Sequence, residues 1–238
     1  MQRIGLGLLW LGLLIYSFGF APSDQDGTLE LIVALSTFKW EGINPLVAAL
    51  FSMMGLWPMV YGAMLLVDGR DASPGDAAQS QSVPAWPFVL LSFGLGAFAL
   101  LPYLVLRRDK PRFVGPQSDL IRLTESGGLA WLLLLSGAGL LAFGGLAGHW
   151  ADFVEQWQTS RFIHVMSLDF CVLSLLFVVL LPDDIARRQM ERGWIWGLIS
   201  FVPFLGPAFY LCWRSPLVDA NHPPSHAPEK EAVDALDA

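Results

Sequence analysis

Residues 159–214 read TSRFIHVMSLDFCVLSLLFVVLLPDDIARRQMERGWIWGLISFVPFLGPAFYLCWR. The stretch is an apolar helix carrying one acid, a tight charged loop, and a second apolar helix interrupted by Pro and Gly. Between Phe162 and Leu181 the only acid is Asp169, with His164 at the start of the run. A carboxylate at the centre of a membrane helix costs about 2.5–3.5 kcal/mol. Asp169 is therefore expected to be hydrogen-bonded, protonated or turned toward water, and to be buried against segment two or segment six. Its candidate donors are Trp and Tyr side chains and backbone groups near the breaks at Pro203 and Pro207.

Four more lipid-length runs accompany this pair. Of 238 residues, 54% are hydrophobic and only 15% charged, against about 25% charged in soluble domains. This places the chain in the membrane class. The expected fold is an all-α polytopic transmembrane helix bundle of about six spans plus two interfacial amphipathic helices. Residues 1–216 form one helical domain, and 217–238 an acidic, Pro-rich disordered tail.

In chain order, segment one is Ile4 to Phe20, read as a retained first span rather than a cleaved signal because Pro22 follows at once. Leu29 to Trp40 is an interfacial helix. Asn44-Pro45 starts segment two, which runs to Val67 with a kink expected at Trp57-Pro58. Asp68 to Ala85 is a polar loop. Segment three runs from Trp86 to Leu106, with Ser92 and Gly96 in small-xxx-small spacing, and Arg107 to Arg112 end it. Segment four, Gly127 to Gly148, is dense in small residues and should be packed closely on more than one side, above all at Gly144 and Gly148. His149 to Ser160 is the second amphipathic stretch. No internal repeat of fixed period is legible.

Six spans leave loops 21–43, 107–126 and 182–193 on one side, with nine Lys and Arg against five on the other. The positive-inside bias then puts loops 107–126 and 182–193 on the cytoplasmic or stromal side and both termini outside.

Candidate functional residues follow from isolated polar groups in apolar helices. Arg161, His164, Ser167, Cys171 and Ser174 recur at three- and four-residue steps as a polar stripe on segment five. Asp169 lies on another face, five residues or about 140° from His164. A single His can hold chlorophyll magnesium, and His149 and His164 share one end of the bundle. Arg187 and Arg188 read as part of a solvated loop that fixes orientation. Gly206 and Pro207 belong to a broken helix of the kind that lines transporter sites. Cys171 and Cys212 are expected to be small buried hydrophobes. A net charge of −7 without clustered cations argues against nucleic acid. No nucleophile elbow, phosphate loop or zinc signature is present, and no metal or catalytic set is assigned.

The stretches KWEGINPLVAALFSMMGLWPMVYGAMLLVDGR, VPAWPFVLLSFGLGAFALLPYL and SRFIHVMSLDFCVLSLLF with DDIARR resemble an uncharacterised polytopic membrane family of cyanobacteria and plant plastids. The chain is more loosely similar to neoxanthin synthase-like membrane proteins. Their order of His, intrahelical Asp, Arg-bearing loop and Gly-Pro is matched by His164, Asp169, Arg187 or Arg188, Gly206 and Pro207. The resemblance implies an integral protein of thylakoid or plasma membranes, non-enzymatic, supporting assembly or pigment handling of photosynthetic complexes. Its partners would be the lipid bilayer, those complexes, and chlorophyll or carotenoid. A carotenoid-modifying enzyme and a small-solute carrier are the alternatives.

Overall fold

The computed structural model describes residues 2–69, 83–107 and 118–217. The polar loop after Asp68, the charged run after Arg107 and the tail after Leu217 fall outside these residues. Every element among them is helical. Four helices are long and apolar enough to cross a membrane: α1 (Gln2–Gly19), α3 (Pro45–Leu65, continued by a 3-10 turn to Gly69), α7 (Gly127–Ala147) and α9 (Arg161–Arg187). Between them lie α2 (Thr28–Ser36), α4 (Trp86–Leu95), α5 (Ala97–Leu106), α6 (Asp119–Thr124), α8 (Trp150–Thr159), α10 (Gly193–Ser200) and α11 (Leu205–Trp213).

Segments three and six differ from the expected spans. Segment three is two helices that fold back on each other at Gly96. The rings of Phe88 and Tyr103 are 5.4 Å apart. In one continuous helix fifteen residues would separate them by about 22 Å. Segment six does the same through residues 201–204. The Trp196 and Tyr210 rings are 5.5 Å apart, where a continuous helix would hold them about 21 Å apart. Each pair is therefore a re-entrant hairpin that leaves the bundle at the end where it entered. Among the described residues four helices are long and apolar enough to run the length of the bundle, where about six spans were expected.

The cause lies in the backbone at each turn. Gly96 adopts φ 50 and ψ −127, a conformation that glycine takes without steric cost. At the second turn Phe204 holds φ 60. Pro203 adds to the interruption by offering no N–H. The sequence signs for α3 hold well. The Asn44 side chain accepts from Leu46 N–H at 3.0 Å, with Pro45 next in the helix. The helix continues through Pro58, just as α9 continues through Pro182.

The hairpins reveal an internal duplication that the apolar sequence hides. Each half runs long helix, amphipathic helix, long helix, hairpin: α1, α2, α3, α4–α5, then α7, α8, α9, α10–α11. A shift of 116 residues carries the α3 cap Asn44 onto the α9 cap Ser160, and Asp68 onto Asp184. Every buried residue of α9 from Ile163 to Leu181 falls on a buried residue of α3 under this shift. In the hairpins Ser92-Phe93 matches Ser200-Phe201, and Tyr103-Leu104 with Arg107 matches Tyr210-Leu211 with Arg214. The Tyr103 hydroxyl donates to Asp68 at 3.2 Å, and the Tyr210 hydroxyl to Asp184 at 2.8 Å. Arg107 and Arg214 approach the same two carboxylates at 3.2 and 3.8 Å. Both halves contribute two crossings, so they run in the same direction.

These tyrosine and arginine contacts gather one end of the bundle, here called the basic end. Arg187 joins the halves, reaching Asp68 at 2.8 Å and Asp184 at 3.6 Å. Arg188 pairs with Asp184 and Glu125, both at 2.8 Å. This corrects the solvated-loop reading of DDIARR: α9 extends past Leu181, and Asp184, Arg187 and Arg188 are buried. Burial opposes the Arg188 charge, but Glu125 and Asp184 outweigh it and hold its pKa above the ordinary value. Four arginines and four carboxylates (Asp68, Glu125, Asp183, Asp184) meet here, so the cluster is charge-balanced, as burial requires.

Helix α7 closes on its neighbours through small residues. A Cβ on Gly144 would lie 2.8 Å from the Ala49 Cβ of α3, and one on Gly137 would collide with the Phe204 ring. Gly139 and Gly145 face open space, so the close packing is confined to part of the helix. Cys171 is exposed and Cys212 half-buried, which corrects their assignment to the core.

Candidate functional site

The duplication is broken where it matters for a site. In the second half α7 lies tightly on α3. Its counterpart, α1 on α9, stays apart: Gly5, Gly12 and Gly19 of α1 have nothing near their Cβ positions. The gap is a cavity of about 600 Å³. Its walls are α1 (Trp10, Ser17), α3 (Phe51, Met54), the Ser92–Phe98 turn and the first half of α9. The lining is predominantly apolar.

Asp169 stands in this wall with only 4% of its surface exposed. Its Oδ1 accepts from the Ala97 N–H at 2.8 Å. Ala97 is the first residue of α5, so the carboxylate caps a half-helix that starts inside the bundle. Helix starts carry unpaired N–H groups and a positive dipole end, and an anion is stabilised there. The fit demands glycine at 96, since a Cβ there would collide with the carboxylate. The expectation of a buried acid paired with backbone at a helix break holds, but the break is in segment three, not segment six.

Two more groups complete the polar inventory of the site. Ser17 is 4% exposed, lines the cavity, and its Oγ has no hydrogen-bond partner. At the mouth, Arg161 donates from Nε to the Pro22 carbonyl at 2.9 Å, beside Asp24. Trp10 ties α1 to the turn by donating from Nε1 to the Phe98 carbonyl at 3.1 Å.

The sequence-derived candidates thus separate. Arg161 and Asp169 share the cavity. His164 does not line it. The Trp157 carbonyl can only accept, so Nδ1 of His164 carries the proton and donates to it at 2.9 Å. Nε2 then accepts from the Tyr16 hydroxyl at 3.0 Å, and the Trp157 ring stacks at 4.3 Å. Both nitrogens are committed, which corrects the view of His164 as a pigment-metal ligand and fits it as the pin joining α1, α8 and α9. His149 meets Asn44 through its backbone. Arg187 and Arg188 lie at the basic end, about 27 Å along α9 from Asp169. Gly206 and Pro207 lie in the first turn of α11, where a Cβ on Gly206 would strike the Ile199 carbonyl. Among the described residues no three His, Cys, Asp or Glu side chains gather as metal ligands.

Sequence reasoning missed Gly96, Ser17, and the Asp68, Arg107 and Arg214 contacts. The paired Ser-Phe and Tyr-Leu-x-x-Arg motifs are the trace that the duplication leaves in the sequence, too short to place the two hairpins by themselves. Compared with protein-family models, curated proteins and solved structures, the chain matches none.

Proposed function

We propose that this membrane protein is a non-enzymatic carrier or scaffold for a lipophilic molecule, held in the cavity between α1 and α9. The observation behind this reading is a cavity of about 600 Å³ with an apolar lining and two buried polar groups, Asp169 and Ser17. Ligand pockets combine apolar walls with a few placed polar groups in this way. An elongated amphiphile would lay its chain against Phe51 and Met54 and direct its polar end to the carboxylate. The family resemblance supports a photosynthetic membrane as the setting and a pigment, chlorophyll or carotenoid, as the molecule handled. The basic end would face the cytoplasm or stroma. Seven described arginines stand there, against Lys39 and Arg161 at the other end.

The test is to purify the full chain in mild detergent and identify the lipophiles extracted from it. Wild type should retain a stoichiometric pigment or lipid. Val165→Trp, which fills the cavity from a half-buried wall position, should fold normally and lose it. An empty wild type, or a variant that retains as much, would overturn the reading.

A small-solute carrier is the second reading. Two re-entrant hairpins bring non-helical backbone to bundle depth, an arrangement met around transport sites. Solute uptake into proteoliposomes, abolished by Val165→Trp, would favour it. The carotenoid-modifying alternative needs a reactive His164, and its committed nitrogens count against that.

A further inference from the structure

The duplication also points to a lipid site at the basic end, independent of the cavity above. We propose that the cleft between α1, α5 and α9 binds the anionic headgroup of a bilayer lipid through Arg3 and Arg107. The cleft encloses about 560 Å³ and is lined by Gln2, Arg3, Leu104, Arg107, Val179 and Leu180, among others.

Its counterpart in the second half shows what such a place holds. Arg107 and Leu104 correspond to Arg214 and Leu211 in the matched hairpins. Val179 and Leu180 correspond to Ala63 and Met64 under the 116-residue shift. There Arg214 fills the space. Its Nη1 donates to the Ala63 carbonyl at 3.0 Å and lies 3.9 Å from the Met64 sulfur. Its Nη2 donates to Glu125 at 2.7 Å and to the Thr124 carbonyl at 2.9 Å. The protein's own carboxylate, just ahead of α7, completes the site.

In the first half the lining includes no acid among the described residues, and a second cation, Arg3, stands there instead. Arg107 is only 6% exposed. Asp68 and Asp183 hold one side of its guanidinium, at 3.2 and 2.8 Å, and Arg3 flanks the cleft. Asp183 thus takes the Nη2 of Arg107 as Glu125 takes that of Arg214. An anion entering the cleft would meet the remaining Nη1 of Arg107 and the guanidinium of Arg3, groups that grip anions by charge-assisted hydrogen bonds.

Two observations favour a lipid over a free anion. The cleft is at the end of a candidate span. The adjoining face of α1 is exposed and apolar, with Ile4, Leu8 and Leu11 available for acyl chains. Basic pockets between transmembrane helices on the cytoplasmic side take anionic headgroups for these reasons.

The experiment uses the full chain in uncharged detergent, titrated with phosphatidylglycerol, an uncharged galactolipid and inorganic phosphate. Native mass spectrometry and thermal unfolding read the binding. Phosphatidylglycerol should bind about tenfold tighter than the galactolipid, and phosphate alone should leave the melting unchanged. Arg3→Gln should remove the preference. So should Gln2→Glu, which supplies a carboxylate in the manner of Glu125. Arg122→Gln, an exposed cation at the same end, should keep it. Equal affinity for the two lipids, or a preference that survives both Arg3→Gln and Gln2→Glu, would sink the proposal. Phosphate stabilising as well as phosphatidylglycerol would show a soluble-anion site and overturn the lipid assignment.

Discussion

Asp169 and Gly96 form a unit that neither residue explains alone. The carboxylate caps α5 only because no side chain intervenes at 96, and Gly96 can turn the chain at φ 50. Asp169→Asn keeps an acceptor oxygen for the Ala97 N–H and should preserve folding. Asp169→Leu leaves that N–H buried without a partner and should lower stability by roughly 1–3 kcal/mol. Gly96→Ala should be at least as damaging, since it adds backbone strain to a collision. Thermal unfolding of the three variants checks the order; a wild-type melting curve for Gly96→Ala would refute the account of the turn. The two tyrosines supply a matched pair. Tyr103→Phe and Tyr210→Phe each remove a hydrogen bond to a buried carboxylate, and each should cost roughly 1.5–3 kcal/mol in the same assay. A large loss at one site and none at the other would contradict their structural equivalence.

Helix α7 shows how one element can be packed on one face and bare on another. Gly144→Leu forces a side chain into Ala49 and the start of α3. Such overpacking costs about 1–3 kcal/mol or more, and the folded yield should fall sharply. Gly139→Leu projects into open space and should be harmless. Equal behaviour of the two, measured as monodisperse yield after detergent extraction, would remove close packing as the reason for these glycines. The contrast with α1 is the same physics in reverse. Gly5, Gly12 and Gly19 touch nothing, so the helix stands off α9 and a cavity remains.

For the whole molecule, the hairpins change which loops share a side. Six crossings would place Ser36 and Arg122 together. Four crossings and two hairpins place them at opposite ends, because α3 lies between them and segment three returns to where it began. Single cysteines at these exposed positions, in a background lacking Cys171 and Cys212, should label from opposite sides of sealed vesicles. Labelling from one side would restore the six-span arrangement. The ion-pair cluster belongs to this scale as well. It clamps the ends of α3, α5, α9 and α11 at one face. Arg187→Met leaves Asp68 and Asp184 short of a shared counter-charge, and removing one partner of a buried pair costs about 3–5 kcal/mol. Loss of the folded peak in size-exclusion chromatography is the expected outcome.

Legible in the residues alone were the class of fold, the courses of α3 and α7, the start of α9, the two amphipathic helices, and the burial of Asp169. Each of these follows from local facts: apolar runs of lipid length, Asn44-Pro45 as a helix start, one acid among hydrophobes. The sequence could not show that segments three and six turn back. An apolar run of twenty-one residues has the composition of a span whether it crosses or folds, and Gly96 reads equally as a packing residue. Nor could it show the duplication, because equivalent positions in the two halves share size and burial more than identity, as Met53 and Asp169 do. The burial of Asp184, Arg187 and Arg188 was set by tertiary contacts, since Asp68, Glu125 and Arg214 reach them from distant parts of the chain. The cavity was likewise decided at the tertiary level. It exists because α1 fails to close on α9 as α7 closes on α3, and a gap between helices leaves no mark on the residues of either one.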